Sequence, residues 1–510
     1  MLADWGALTL APPILTLAIA LWTRNILLAL GVGAFSGTLI ISDGQPFSAL
    51  LMLVEAHMFV QVADSFNAQI IFVMMAIGGF IHLLQISGGA QAFATQMTGS
   101  ITSAPKAQIS AWFAGIGIFF SDVGNPLIVG PLFRPIFDGL KICREKLAYV
   151  IDCTSAPVCI LIPFIGWGAY ISGLIEQGYR SVGRADDSYL VLVSAIPFQF
   201  YAWLTLIAVP IFALRNRDFG AMRRAQARFL AAPPAAPVQQ PVASAGSTEP
   251  NTQNPLLFIL PIGTLLGLIG TLLGWYAYNG ELNSVHVRST LLISYLAAAG
   301  ACSWVMWRYQ GVGLNKSMDE FVNGAKDMVY VAALLVLAWS LGAIINELGT
   351  GPYLARLVED RLPGYWVPAI AFVLGAVTSF ATGSSWGTFA ILMVIALPVA
   401  DALDASLVLT SAAVLSGGLF GDHTSPISDT TVLASMGAQC DHVEHVATQL
   451  PYAMLVGCVT FFAYLAAGVY ESYWVLGIAA IVLVIAIWLV TRLQPVGDEA
   501  VGLSTSKTTD

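Results

Sequence analysis

Six windows of this chain, residues 5 to 23, 26 to 42, 188 to 214, 255 to 276, 328 to 346 and 474 to 491, are apolar over membrane-crossing length. A helix needs roughly 17 to 25 such residues to cross the hydrocarbon core. Lipid offers no partner to a backbone N–H or C=O, so these segments must satisfy their polar groups internally. Only 10% of the 510 residues are charged, and the mean hydropathy is +0.77, whereas an average soluble protein carries about 25% charge. Soluble architectures are excluded. The expected fold is an all-α polytopic membrane protein with about 11 membrane spans. Residues 1 to 23 lack a basic leader and a small-residue cleavage pattern and end at Trp22-Thr23-Arg24, which reads as a first span and not a signal peptide. Cysteines 143, 153, 159, 302, 440 and 458 show no ligand or disulfide spacing and read as packing residues. The net charge of −9 gives no reason to expect a nucleic-acid partner.

Residues 1–214 read as a first membrane repeat and 254–473 as a second, with an extra span at 474–492 and a disordered tail at 493–510. Between the repeats, 215–253 is rich in Arg, Pro and Ala and cannot bury a core, so it reads as a mobile cytoplasmic linker. The repeats share a register. Offset by 262, Phe59 to Asp64 faces Phe321 to Lys326, Gln85 to Gly89 faces Glu347 to Gly351, and Ser121 to Pro126 falls on Gly383 to Thr388. Offset by 270, Asp152-Cys153-Thr154-Ser155 falls on Asp422-His423-Thr424-Ser425.

Each half is expected to contain two spans, a surface helix, a third span, a re-entrant hairpin, an interrupted span and a fifth span. Five crossings make the two copies antiparallel. With the linker and C-terminus inside, fifteen of the 21 basic residues fall in the cytoplasm, five fall outside and Arg134 lies in the first hairpin, as the positive-inside rule requires of a plasma-membrane protein. The connector Lys141 to Lys146 is basic, and its counterpart Asp401 to Asp404 is acidic.

Four polar interruptions break the apolar pattern: hairpin tips at 121 to 126 and 382 to 388, and unwound stretches at 152 to 157 and 422 to 431. Paired broken helices at matching positions point to a transporter binding site. Carboxylates at bilayer depth cost several kcal/mol, roughly 2.5 to 3.5 on insertion scales, and mark ion or substrate pathways. The candidate binding residues are Ser121, Asp122, Asn125, Asp152, Thr154, Ser384, Ser385, Thr388, Asp422, His423, Thr424, Ser425, Ser428, Asp429 and Thr430. Thr382 adds a further hydroxyl. Sodium, a hard cation, is expected at Asp152, Asp422 and Asp429, where hydroxyls and freed carbonyls can complete its shell. Single hydroxyls also serve as helix-helix contacts. Arg134 is expected to pair with Asp138 one turn on. His57 and His82 read as packing or interfacial residues, and Cys440 to His445 as a cytoplasmic amphipathic helix despite its metal-like look.

Several of these segments resemble the NhaC family of sodium/proton antiporters. They are Gly421 to Thr431, Gly437 to His442, Thr448 to Ala453, Thr382 to Thr388 and Arg144 to Asp152. The resemblance covers both halves. It implies the ion-transporter superfamily fold of inverted repeats, elevator-like or rocking exchange, and a homodimer. The family's first hairpin tip often carries two adjacent acids, whereas this chain has Ser121-Asp122-Val123-Gly124-Asn125, which leaves room for an organic solute. The expected function is therefore secondary active transport, with sodium/proton antiport first and sodium- or proton-coupled carriage of a small organic acid or amino acid second. Sodium and protons are the coupling ions, membrane lipid is the surrounding partner, and neither an enzymatic activity nor a cofactor is expected. A channel and an intramembrane protease with Asp152 and Asp422 as its dyad are the weaker rivals.

Overall fold

Apolar helices joined by short turns account for the fold, and their ends fall where glycine, proline and polar residues interrupt the hydrophobic pattern. The structure, a computed structural model, describes residues 5–96, 101–231, 254–351, 353 and 363–493. The first half runs α1 (Ala11–Thr23), α2 (Ile26–Ile41), α3 (Pro46–Met52), a wide turn over Leu53–Met58, α4 (Phe59–Ala63), α5 (Ser65–Ile86), α6 (Gly89–Gln96), α7 (Ala104–Gly117), α8 (Gly124–Gly139), α9 (Arg144–Thr154), α10 (Ala156–Cys159), α11 (Gly166–Ser181), α12 (Ser188–Ala195) and α13 (Phe200–Arg215). After α14 (Gly220–Ala231) come α15 (Leu256–Tyr278), α16 (Ser284–Gln310), α17 (Leu314–Asp327) and α18 (Val329–Glu347). The chain then continues through α19 (Val367–Thr382), α20 (Ser385–Ala402), α21 (Leu407–Thr424), α22 (Asp429–Ala438), α23 (His442–Tyr470) and α24 (Trp474–Leu493). Among the described residues, 10 helices are long and apolar enough to cross a membrane, or 11 with the bent pair Ser188–Phe198 and Phe200–Arg215. The chain is an all-α polytopic membrane protein.

The order of elements repeats, and so does their packing. The third span of each half, α5 or α18, packs on the second span of the other half, α16 or α2. α5 also carries the surface helix α17, while α18 carries the turn and α4 that occupy the same place in the first half. Each of these contacts holds a histidine–glutamate pair, His82 with Glu320 at 3.1 Å and His57 with Glu347 at 3.7 Å. α7 with α8 and α19 with α20 form the two hairpins. The second arm of each packs on the interrupted span of the other half, α8 on α22 and α20 on α11. The first crossing brings Gly130 against Gly437, where a Cβ on Gly130 would lie 2.4 Å from backbone.

The hairpins end in the same cap. Lys141 and Asp404 adopt φ of 57° and 52°. Ile142 N then donates to Phe137 O, and Ala405 N to Ala400 O, each at 2.8 Å, the Schellman closure of a helix end. The offset there is 263, and at the positive-φ Gly88 and Gly349 it is 261, so the sequence register drifts by two residues between these points. Beyond their identical caps the connectors have different neighbours. Lys141 O accepts from Gln226 of α14 at 2.8 Å, whereas Asp401 pairs with Arg184 at 3.0 Å beyond the far end of the α9–α11 span. Equivalent loops therefore sit at opposite ends of the array, as antiparallel copies require.

Two expectations need correction. The start of the linker is folded, because Met222 and Ala225 of α14 are buried and give it an apolar face; the rest, 232–253, lies outside the described residues, as do Arg356, Arg361 and 494–510. Asp138 pairs with Arg144 at 2.8 Å and not with Arg134. The Lys141 turn folds the chain back and brings the start of α9 onto the end of α8.

Candidate ion and substrate site

Proline sets both breaks. Pro157 cannot donate to the carbonyl of Cys153, nor Pro426 to that of Asp422, so α9 stops at Thr154 and α21 at Thr424. Each break is tied to its own hairpin by the matching serine. Ser155 Oγ donates to Asp122 O in the first hairpin tip, and Ser425 Oγ donates to Phe380 O in α19 at 2.8 Å. Asn125 adds a second tie. Its Nδ2 donates to Gly115 O and Thr154 O, each at 2.8 Å, which ties together the C-terminal ends of α7 and α9. Its Oδ1 is buried with no partner. The second tip closes on its break at Gly383, with φ of 67°, where a Cβ would lie 2.7 Å from Ile427 O.

The equivalent aspartates Asp152 and Asp422, both buried, sit in different pockets. Asp152 Oδ2 accepts from Gln449 Nε2 at 2.6 Å and from Thr431 Oγ1 at 3.2 Å. His445 Nε2 and His423 Nε2 stand 3.6 and 3.8 Å from the same oxygen. Gln449 Nε2 also reaches His423 O at 2.6 Å. His423 Nδ1 meets Tyr201 OH at 2.7 Å, and its Nε2 lies 3.5 Å from Cys153 Sγ. Neither ring nitrogen of the fully buried His445 makes a hydrogen bond.

Asp422 is less engaged. Its Oδ2 accepts from Thr430 Oγ1 at 3.3 Å, and that hydroxyl lies 3.0 Å from Ser428 Oγ. Its Oδ1 is buried without a partner. The carboxylates of Asp429, Asp152 and Asp122 lie within electrostatic range of it. Asp429 is exposed at the start of α22 and accepts from Thr430 N at 2.8 Å.

The remaining predicted residues divide by how they are used. Ser121 joins the first tip to α5, its Oγ accepting from Gln85 Nε2 at 3.2 Å and Gly124 N at 2.9 Å. Thr154 and Thr424 return their hydroxyls to carbonyls of their own helices, as do Thr382 and Thr388. Ser384 caps α20 through Gly387 N at 3.3 Å, and Ser385 is buried beside it. These second-tip hydroxyls do not touch either buried aspartate.

Sequence reasoning missed Tyr201, Thr431, His445 and Gln449. His445 lay in a stretch read as a cytoplasmic amphipathic helix, but it is fully buried on α23. His442, three residues earlier, turns to Ser435 Oγ at 3.0 Å and Pro426 O at 2.7 Å. A glutamine two residues before a proline inside an apolar helix, Gln449-Leu450-Pro451, was the available signal. Among the described residues, no three His, Cys, Asp or Glu side chains group closely enough to hold a metal ion.

Residues 158–469 match the model of the Na+/H+ antiporter family. The chain belongs to that family. Membership makes it a cation-coupled secondary transporter, and the matched residues include the second break. An uncharacterized protein of Haemophilus influenzae is 32% identical over 474 residues, covering 90% of each chain. The arginine/ornithine antiporter ArcD of Halobacterium salinarum is 32% identical over 173 residues, 33% of this chain and 35% of its own. Among solved structures, the YdaH transporter of Alcanivorax borkumensis superposes with a TM-score of 0.55 at 16% identity, covering 88% of this chain and 89% of its own. That likeness extends to the fold alone.

Proposed function

We propose that this family member exchanges sodium for protons across the plasma membrane, with the cargo cation held at Asp422. The observation that carries this reading is the buried Oδ1 of Asp422, which has no protein partner, beside the hydroxyls of Thr430 and Ser428 at a helix break. A hard cation prefers such oxygens. Asp429 and Asp152 lie within electrostatic range of Asp422, and their charges favour a cation there. Competition supplies the coupling. A carboxyl in a poorly solvated pocket favours its protonated form, a bound cation favours the ionised form, and so one site serves both ions in turn.

Alternating access would move the hairpins and broken helices together against α1, α2, α5 and α15 to α18, in an elevator-like or rocking motion. The serine tethers at both breaks support such a unit. The bias of basic residues supports a cytoplasmic linker and C-terminus. A homodimer is part of the proposal on family grounds only.

Proteoliposomes containing a pH-sensitive dye test the main reading. A sodium gradient is expected to drive proton flux of opposite direction, and the absence of such flux at every pH rejects plain antiport. A second reading, coupled exchange of an amino acid or organic acid, is favoured by the ArcD relative, an arginine/ornithine antiporter. A solute that stabilises the purified protein only when sodium is present would select it, because coupling between two ligands is reciprocal.

A further inference from the structure

The last two turns of α9, which carry Asp152, meet one face of α23. Asp152 faces His445 and Gln449. One turn back, Tyr149 packs edge-on against Tyr452 with ring centroids 5.1 Å apart. A further turn back, Lys146 reaches the linker and not α23, with its Nζ 2.5 Å from Asp218 Oδ2. The other oxygen, Asp218 Oδ1, accepts from Tyr452 OH at 3.0 Å. One carboxylate thus joins both helices, and the Lys146 and Asp218 side chains are only 5% and 8% exposed.

This joint is close to the transport pocket. Lys146 precedes Asp152 by six residues, about 9 Å of helix rise, and Tyr452 follows Gln449 by three, on the same face of α23. Asp218 is itself held in place. Phe219 stacks on Tyr452 at 4.5 Å. Gln226 accepts from Cys143 N at 2.9 Å and donates to Lys141 O at 2.8 Å. Arg228 pairs with Glu444 at 2.5 Å. Residues 218 to 228 therefore grip the starts of both helices that lead to Asp152. A buried ion pair holds two helices no more strongly than apolar side chains of similar size would. What it adds is one required register.

We infer that Asp218 is a positioning residue for transport: through Lys146 and Tyr452 it sets α9 against α23, and with them the approach of Gln449 and His445 to Asp152. The inference rests on the reading of the Asp152 and Asp422 pockets as the transport site.

The test compares the wild-type chain with the double variant Lys146→Met/Asp218→Leu in proteoliposomes and in detergent. Removing both charges leaves neither one buried alone. Half-saturating sodium is read from proton flux and from sodium-dependent thermal stabilisation. The expected result is a rise of about tenfold at unchanged maximal rate, the effect of weakening one hydrogen bond to a charged group. Asp218→Glu, which keeps the carboxylate, is expected to recover most of the difference. A folded double variant with wild-type half-saturation overturns the inference. Should that variant not fold, Tyr452→Phe removes only the hydroxyl that Asp218 accepts; the same rise supports the inference and no rise overturns it. Asp152→Asn in the same assay separates the two readings. Wild-type flux there removes Asp152 from the transport site and this inference with it, whereas lost flux beside a normal double variant removes only this inference.

Discussion

Asp152 and Asp422 occupy the same place in the two halves, yet their surroundings differ in kind. Asp152 directs one oxygen at an amide, a hydroxyl and two nearby imidazoles. Asp422 meets one hydroxyl and keeps its other oxygen free. A repeated backbone thus carries two chemistries, one carboxylate braced by protein donors and one with an oxygen that no protein donor meets. The difference comes from what the second half lends the first. Gln449 and His445 stand on α23 and reach across to α9, and no described hydrogen bond from α13 reaches Asp422 in return.

Substitution of the open carboxylate should have the largest effect. A unit charge about 4 Å from its partner at an effective dielectric near 20 is worth about 4 kcal/mol, so Asp422→Asn is expected to weaken sodium binding nearly a thousandfold. Sodium-dependent thermal stabilisation measures it. Asp152→Asn should cost less, about a hundredfold in coupled flux, because its pocket keeps its shape around an amide. Equal losses in the two variants would mean that the pockets act as one, and the comparison would fail. Gln449→Leu removes the shortest donor to Asp152 and is expected to raise half-saturating sodium about tenfold at little-changed maximal flux, the same split expected of the Lys146→Met/Asp218→Leu variant.

Much of this was legible beforehand because membrane helices advertise their faults. Pro157, Pro426 and Gly383 interrupt apolar runs, so the breaks and hairpins could be located from residue type alone. Partners drawn from distant helices could not. Gln449 lies 297 residues from Asp152 in sequence, and the nearby Pro451 marks its stretch as unusual without saying which helix it faces. Arg134 was one turn from Asp138 and still lost it to Arg144, because a left-handed turn at Lys141 reverses the chain. Hydroxyl orientation was equally out of reach of the sequence. Thr154, Thr388 and Thr424 each donate the proton to a backbone carbonyl one turn back, which leaves the oxygen lone pairs as what each can offer a ligand.

Smaller substitutions sharpen the comparison. Thr430→Val deletes the one hydroxyl on Asp422 and should raise half-saturating sodium about fivefold, the value of roughly one neutral hydrogen bond. Ser155→Ala and Ser425→Ala each remove one tether and should each lower stability by about 1 kcal/mol, read as a shift in thermal midpoint. Equal shifts would show that the halves still share their mechanics where their chemistry has parted.

Those two serines carry a wider implication. Each grips a peptide oxygen and not a side chain, so the residue it holds can be exchanged without loosening the grip. On the proposed elevator reading, hairpin tips fastened in this way would be free to be rewritten for a new cargo while the proposed moving unit stays whole.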